Sequence, residues 1–296
     1  MFRGGDILRT EQEVLSKFRK WAENNDLLRA AVLTSSRVNP DSSIDFISDY
    51  DIELYVKDLS IFELSDNWLN VFGPIMVRWP YKPGAQEERI TRLVLFKDGV
   101  RIDFQITDNF EIKADTYDNG YKILIDKDGI LDNLDEPTYS QYIIKKPAAE
   151  EYEKVVHEFW WDAIYVPKYL WRDELPFAKY MLDNILRYSF LHPVIDWYIG
   201  MQNNWSVNTG IHGKKYKFYL DKKTWKELES TYTGADIEEN WIAFFNTLSL
   251  FRKLAKKVGE NLGYNYPGTL DREVTQYCME IKETKRTNPL NTVNID

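Results

Sequence analysis

The stretch TSSRVNPDSSIDFISDYDIELYV, from Thr34 to Val56, decides how the rest of the chain is read. It joins a small-residue turn, Ser35-Ser36-Arg37, to an alternating run from Asp49 to Val56. Strand side chains alternate between faces. Asp49, Asp51 and Glu53 therefore share one face, and Tyr50, Ile52, Leu54 and Val56 the other. Asp49 and Asp51 then stand roughly 7 Å apart with their carboxylates aimed the same way. Such a pair repels itself unless a cation lies between, and hard oxygen ligands of this kind suit Mg2+ together with substrate phosphates. A half-buried strand with a wet acidic face has the same pattern, and spacing alone leaves both readings open.

Composition narrows the classes. A chain of 296 residues is long enough for one large or two medium domains. Its 44% hydrophobic content, with 10 Trp, 19 Tyr and 15 Phe, supports a full core and argues against long disorder. The single cysteine, Cys278, excludes an internal disulfide framework and fits a reducing cytoplasm. The three histidines, His157, His192 and His212, lack the short spacing of a zinc site. The start, MFRGGDILRTEQEV, has no apolar signal region, and no run reaches the length of a membrane span, so no membrane partner is expected. The formal net charge of −9 argues against nucleic acid as a partner and favours a cationic ligand. The acid is local: between Asp41 and Asp66 there are eight carboxylates and one Lys.

Working outward, Thr10–Leu28 reads as a helix with a start signal at Thr10 and Glu13, and Arg29–Leu33 as a strand entering the turn. Leu59–Val71 reads as a helix and Ile75–Trp79 as a strand. Ile90–Phe96, a Lys97-Asp98-Gly99 turn and Val100–Ile106 form a hairpin. On its return strand Arg101, Asp103 and Gln105 face away from Val100, Ile102, Phe104 and Ile106, so Asp103 is a third carboxylate on a polar strand face. A helix around Phe110–Thr116 and a strand at Tyr121–Ile125 complete the unit. From Ala148 onward the pattern turns helical and aromatic: Glu150–Arg172, Pro176–Leu191, Pro193–Gly200, Lys222–Glu229, Glu238–Leu262 and Asp271–Glu283. The expected layout is α+β. A mixed-sheet domain spans residues 1–145, a helical bundle domain 146–285 and a flexible tail 286–296.

Three carboxylates on two strands after a Ser-rich turn suggest metal-assisted phosphoryl chemistry. Asp49 and Asp51 would hold Mg2+ against nucleotide phosphates, Ser35 and Ser36 would meet phosphate oxygens, and Asp103 would take the proton of an attacking hydroxyl. This requires the Asp103 strand to lie beside the Asp49–Asp51 strand.

The order S-S-R, S-D-Y-D-I and R-I-D-F, followed by a helical domain, resembles the nucleotidyltransferases of polymerase-β-like fold. More closely it resembles the aminoglycoside 6-adenylyltransferases, which modify streptomycin. The likeness runs from about Arg9 to Pro267. It includes W-L-N-V-F-G at Trp68–Gly73, F-K-D-G at Phe96–Gly99 and L-I-D-K-D at Leu124–Asp128. Further on it includes E-F-W at Glu158–Trp160, W-Y-I-G at Trp197–Gly200, G-K-K-Y-K-F at Gly213–Phe218 and Y-N-Y-P at Tyr264–Pro267. The resemblance implies a polymerase-β-like N-terminal domain, Mg2+ on Asp49, Asp51 and Asp103, ATP as donor, and an AMP ester on a sugar hydroxyl as product. It also implies a cationic acceptor lying between the two domains. A monomer or weak dimer is expected. Two departures stand out. Ser35 occupies a position where the family usually has Gly, which takes positive φ at little cost. The segment Tyr81–Glu88, YKPGAQEE, replaces an acidic, proline-containing loop, which bears on the acceptor.

Other residues carry two readings each. Lys215 and Lys217 read as a solvated loop by pattern, and the resemblance makes them nucleotide contacts. Tyr216 either stacks on adenine or packs. Arg37 either binds phosphate or locks its turn. Glu158, Trp160, Asp173 and Asp183 are candidates for the acceptor pocket, where carboxylates and a flat aromatic wall suit a cationic sugar. Trp160 and Trp161 also read as helix core. Two rival functions remain: nucleotide transfer to a different acceptor, and nucleotide binding with weak catalysis.

Overall fold

Alternation with a period of two builds the sheet. In the computed structural model, which describes residues 9–84 and 89–285, the strands are β1 (Leu28–Thr34), β2 (Tyr50–Val56), β3 (Ile75–Trp79), β4 (Ile90–Phe96), β5 (Arg101–Thr107) and β6 (Lys122–Asp126). They form one mixed sheet in the order β3-β4-β5-β2-β1-β6. The pairing is antiparallel throughout except between β2 and β5, which run parallel. The apolar residues of β2 and β5 point to one face. There Tyr50, Ile52, Leu54, Ile102, Phe104 and Ile106 share a core with Val14, Leu15, Phe18 and Ala22 of helix α1 (Glu11–Glu23). Burying Phe18 completely contributes about 2–3 kcal/mol relative to leaving it in water. The start of α1 is fixed by a capping box: the Thr10 hydroxyl accepts from Glu13 N–H, and the Glu13 carboxylate accepts from Thr10 N–H. The helix ends at Glu23, five residues before the expected Leu28.

The opposite face carries a smaller cluster of Ala30, Val32, Tyr55, Tyr117 and Leu131, and beside it the polar residues of β2 and β5. Tyr117 donates to Glu53 at 2.9 Å, and Arg89 pairs with the same carboxylate at 3.3 Å. Glu53 is thereby engaged away from the two aspartates that precede it.

Between residues 59 and 116 two predicted helices differ from the observed path. The Leu59–Val71 helix breaks into α2 (Ser60–Leu64) and a tight turn at Asn67–Val71, with Ser65 extended between them. The cause is tertiary: buried Asp66 is bound by Arg92, which is fully buried, and by Arg78. The Phe110–Thr116 helix does not form. Its start is taken up by side-chain-to-backbone bonds, Asn109 N–H to Thr107 Oγ1 and Glu111 N–H to Asn109 Oδ1, which compete with helical hydrogen bonding.

The chain divides into two compact units, Met1–Gln141 and Tyr142–Asp296. The second is helical: α3 (Ala149–Ala163), α4 (Tyr165–Arg172), α5 (Leu175–Lys179), a wider π-type stretch (Tyr180–Leu191), α6 (His192–Gln202), α7 (Tyr216–Tyr219), α8 (Lys222–Glu229), α9 (Ile237–Leu262) and α10 (Gly268–Glu283). The predicted Glu150–Arg172 helix is interrupted at Ile164, close to Pro167, which has no N–H to return to Ala163. The long α9 is capped by Asp236 and stopped by Gly263 at φ 75°, and its buried face (Trp241, Phe244, Phe251, Val258) runs through the core of the unit. No helix among the described residues is long and apolar enough to cross a membrane. The expected tail at 286–296 and residues 85–88 of the Tyr81–Glu88 loop lie outside the described residues.

Candidate active site

The parallel pairing of β2 with β5 sets Asp51 directly beside Asp103. Side chains at paired positions leave the same face of a sheet, so the two carboxylates are neighbours. Asp49 lies one residue before β2, level with Arg101 at the start of β5. The juxtaposition that the chemistry requires is therefore present. Three carboxylates and one guanidinium make up a four-residue patch.

Arg101 fills the centre of that patch. Its Nε and Nη2 donate to the two oxygens of Asp103 at 2.9 and 2.6 Å, and its Nη1 reaches Asp49 at 3.2 Å. The surrounding charge holds this guanidinium more firmly protonated, the hydrogen bond to Asp103 contributing most. Asp51 feels the crowding. Its carboxyl is pushed up to about 6, first by burial and then by the charge of Asp103, with a further push from Asp49; the Ser35 hydroxyl and Arg101 oppose the shift.

The donor set is oxygen only, which suits a hard divalent ion. Among the described residues, however, no three His, Cys, Asp or Glu side chains are already gathered as a metal site. The guanidinium stands in as the cation between Asp49 and Asp103. The residue types fit a divalent ion, and the metal-ready arrangement is not preformed.

Ser35 holds the turn above this face. Its φ is 61°, the left-handed region where Gly is favoured, so the added Cβ works against the backbone. Its hydroxyl is hydrogen-bonded to Asp51. The serine exchanges backbone ease for a direct grip on a carboxylate. Comparing Ser35→Gly with Ser35→Ala removes the hydroxyl in both and isolates the backbone. The glycine variant is expected to be more stable by roughly 0.5–1 kcal/mol in urea denaturation. Equal midpoints would show that the turn carries no strain. Ser36 follows, half-buried, in the same tight turn of Ser35–Arg37.

Arg37 is engaged at its own turn. Its Nε donates to Asp49 C=O at 2.9 Å, its Nη2 to Ser48 C=O at 2.6 Å, and its Nη1 pairs with Glu11 at 3.1 Å, while the guanidinium lies 3.6 Å from the Tyr50 ring centroid. It ties the loop before β2 to α1. Beside it a cleft of about 230 Å³ is lined by Arg37, Tyr50, Val100 and Arg101 among others.

The remaining candidates belong to the second unit. Tyr216 is buried, and its hydroxyl donates to His192 C=O at 3.1 Å, so it packs and is not an open stacking surface. Lys215 is half-buried, whereas Lys217 is exposed with its Nζ 5.7 Å from the Trp225 ring centroid. Trp160 is fully buried against Phe159 and Phe251, which removes it from any acceptor wall; Trp161 next to it is exposed. Asp183 pairs with Lys179 and Arg187 at 2.9 and 2.8 Å, so its charge is already answered inside the helix. Asp173 is exposed at the end of α4 in a left-handed conformation. Glu158 opens onto a cleft of about 480 Å³ shared with Glu150, Glu153, Lys154, His157 and Asn265. Sequence reasoning gave Arg101 a face and no role. The signal was its position two residues before Asp103, which puts both side chains on one face.

Next to Tyr216, burial first and then the charges of Arg187 and His212 hold the His192 imidazole down at about 4. The unfolded chain takes up that proton near the ordinary 6.5. Stability is therefore whole above the unfolded value and is lost as pH falls towards the folded one, by about 1–2 kcal/mol at pH 5. His192→Gln is expected to remove that part of the slope in urea denaturation at pH 7.5 and pH 5. An unchanged slope would mean that another group carries it.

The family described as streptomycin adenylyltransferase matches residues 8–281. Over 279 residues the chain is 36% identical to an aminoglycoside 6-adenylyltransferase of Bacillus subtilis (strain 168), covering 91% of this chain and 97% of that one. It is 30% identical over 287 residues to an aminoglycoside 6-adenylyltransferase of Campylobacter jejuni, covering 93% and 97%. Among solved structures it is similar to an aminoglycoside 6-adenyltransferase from Bacillus subtilis at 31% identity and a TM-score of 0.48, over 94% of this chain and 100% of that one.

Proposed function

The chain belongs to the streptomycin adenylyltransferase family, and on that footing we propose that it transfers AMP from ATP to a hydroxyl group of an aminoglycoside, with pyrophosphate leaving. The class of enzyme is nucleotidyltransferase. The observation that carries the reading is the parallel register of β2 and β5, which sets Asp51 beside Asp103 with Asp49 in reach of the same guanidinium. Two strands separated by two others in sequence meet and bring their acids together, which supports this reading.

Asp49 and Asp51 are the residues to hold Mg2+, and Asp103 completes the oxygen set. The ion, when bound, neutralises charge on the phosphate oxygens of ATP. Asp103, deep in the face and nearly buried, accepts the proton of the attacking acceptor hydroxyl. Ser35 orients Asp51, and Arg37 anchors the backbone at Ser48 and Asp49, so both aspartates at the start of β2 are held from behind. Lys215 and Lys217 are the cations proposed for the nucleotide. For the acceptor, the cleft of Glu150, Glu153 and Glu158 supplies the negative lining that guanidinium and ammonium groups bind.

The test uses purified protein with Mg-ATP and a panel of aminoglycosides, following pyrophosphate release. Streptomycin-dependent release supports the reading. Release only with an acceptor outside the panel moves the activity to another substrate. Nucleotide binding without release under any condition overturns transfer as the function.

A further inference from the structure

Arg101 stands in the way of the reaction just proposed. Both oxygens of Asp103 are occupied by its guanidinium, at 2.9 and 2.6 Å, and one oxygen of Asp49 lies 3.2 Å from its third nitrogen. A carboxylate held by both oxygens in a charge-assisted fork neither receives a proton readily nor turns a lone pair to an ion. We propose that Arg101 is a resident counter-ion that closes the carboxylate face in the metal-free enzyme and competes with the divalent cation for Asp103 and Asp49. The idea rests on the assignment of Asp49, Asp51 and Asp103 as the metal-holding residues.

Three observations carry it. The first is position. Arg101 and Asp103 leave the same face of β5 two residues apart, and the register with β2 brings Asp49 and Asp51 alongside. The guanidinium is therefore built into the face by strand geometry and does not depend on a distant loop. The second is charge. Three carboxylates brought to one place by the register repel one another, and the one resident cation offsets part of that charge until a divalent ion takes its place. The third is freedom to leave. The Arg101 side chain is 42% exposed, against 12% for that of Asp103, and it borders the cleft shared with Arg37 and Tyr50. The acid is fixed and the base can swing.

Several consequences follow for the working enzyme. Asp49 and Asp103 are held to one cation before the metal arrives. Metal entry must displace the fork, which weakens binding of the bare ion. A metal–nucleotide complex also brings phosphate oxygens, which give the displaced guanidinium a new anionic partner. Arg101 then moves from carboxylate to phosphate without losing its charge pairing. Bare metal would thus bind weakly and metal–nucleotide well. In this role Arg101 is a positioning residue: it acts through Asp49 and Asp103.

The experiment is a Mn2+ titration by electron paramagnetic resonance, without nucleotide, on the full chain as wild type, Arg101→Gln and Arg101→Lys. The glutamine variant is expected to bind Mn2+ about tenfold more tightly than wild type. The lysine variant keeps the charge but loses the fork, and is expected to fall between, about threefold tighter. Addition of ATP should narrow the gap between the glutamine variant and wild type, since nucleotide offers Arg101 its alternative partner. Equal or weaker Mn2+ affinity in Arg101→Gln overturns the proposal. Wild-type affinity in Arg101→Lys does so too, because it would show that only net charge matters. If Asp49→Asn binds Mn2+ as wild type does, the metal-site assignment fails first, a different outcome from failure of the counter-ion. Thermal unfolding of the same variants shows that each has folded.

Discussion

Asp51→Asn is expected to abolish adenylyl transfer and, in the same molecule, to raise the thermal midpoint of the metal-free protein. The first effect follows from the metal. Asn offers one neutral oxygen where a carboxylate offered a charged one, and loss of metal stabilisation worth several kcal/mol lowers the rate by about a thousandfold or more. The second follows from crowding. The Asp51 carboxyl is pushed up to about 6 in the fold, by burial and by Asp103, from an ordinary value of 3.8. Between those two values the native chain holds a proton that the unfolded chain has already released. Stability therefore declines as pH rises through that window, and the full deficit is present above it. An uncharged isostere removes the deficit, returning about 1–2 kcal/mol at pH 7 once the partial exposure of the group is allowed for. The measurement is a thermal melt in EDTA at pH 7 beside a pyrophosphate-release assay. A lowered midpoint would show that Asp51 is a stabilising partner in the fold. Retained turnover would remove it from the chemistry.

Asp103→Asn separates a base from a ligand. Loss of a general base lowers kcat by about 10²–10⁴-fold. If that is the main role, KM for Mg-ATP stays within a few-fold of wild type, because Asp49 and Asp51 remain. A collapse of nucleotide binding instead would make Asp103 a metal ligand first. The same substitution would also free Arg101 from its fork, leaving Asp49 as its near partner. The variant is expected to fold, since the side chain lies on the polar face and contributes nothing to the apolar core under α1.

The strands around this site were legible because side-chain alternation is a local property. Tyr50, Ile52 and Leu54 on one side and Asp51 and Glu53 on the other need only the pleat. The adjacency of β2 and β5 was not legible, because pairing between strands separated by two others depends on the whole sheet. Arg101 was hidden for the same reason. On paper it is an arginine on a wet strand face, and only the neighbouring strand turns it into the counter-ion of three acids. The helices failed where a tertiary contact overruled local preference: Asp66 is held by Arg92 and Arg78, and the predicted helix at Leu59–Val71 breaks at that point. Trp160 and Trp161 could not be told apart by type. Their directions on the α3 surface decide it, one into the core and one into water. Ser35 was identified from sequence as the odd residue at its turn, and the positive φ gives that departure its physical content.

The parallel seam between β2 and β5 also orders events during folding. The β3-β4-β5 meander assembles from neighbouring segments, whereas joining β5 to β2 closes a long loop, which is entropically slower. Asp103 and Arg101 arrive together on β5, so the acids of β2 meet the third acid only in the company of its neutralising partner. The repulsion between the acids of the two strands is thus screened by Arg101 wherever β5 meets β2. A nascent chain that has not yet reached Arg101 carries two of the three acids and lacks both the third acid and its neutralising partner.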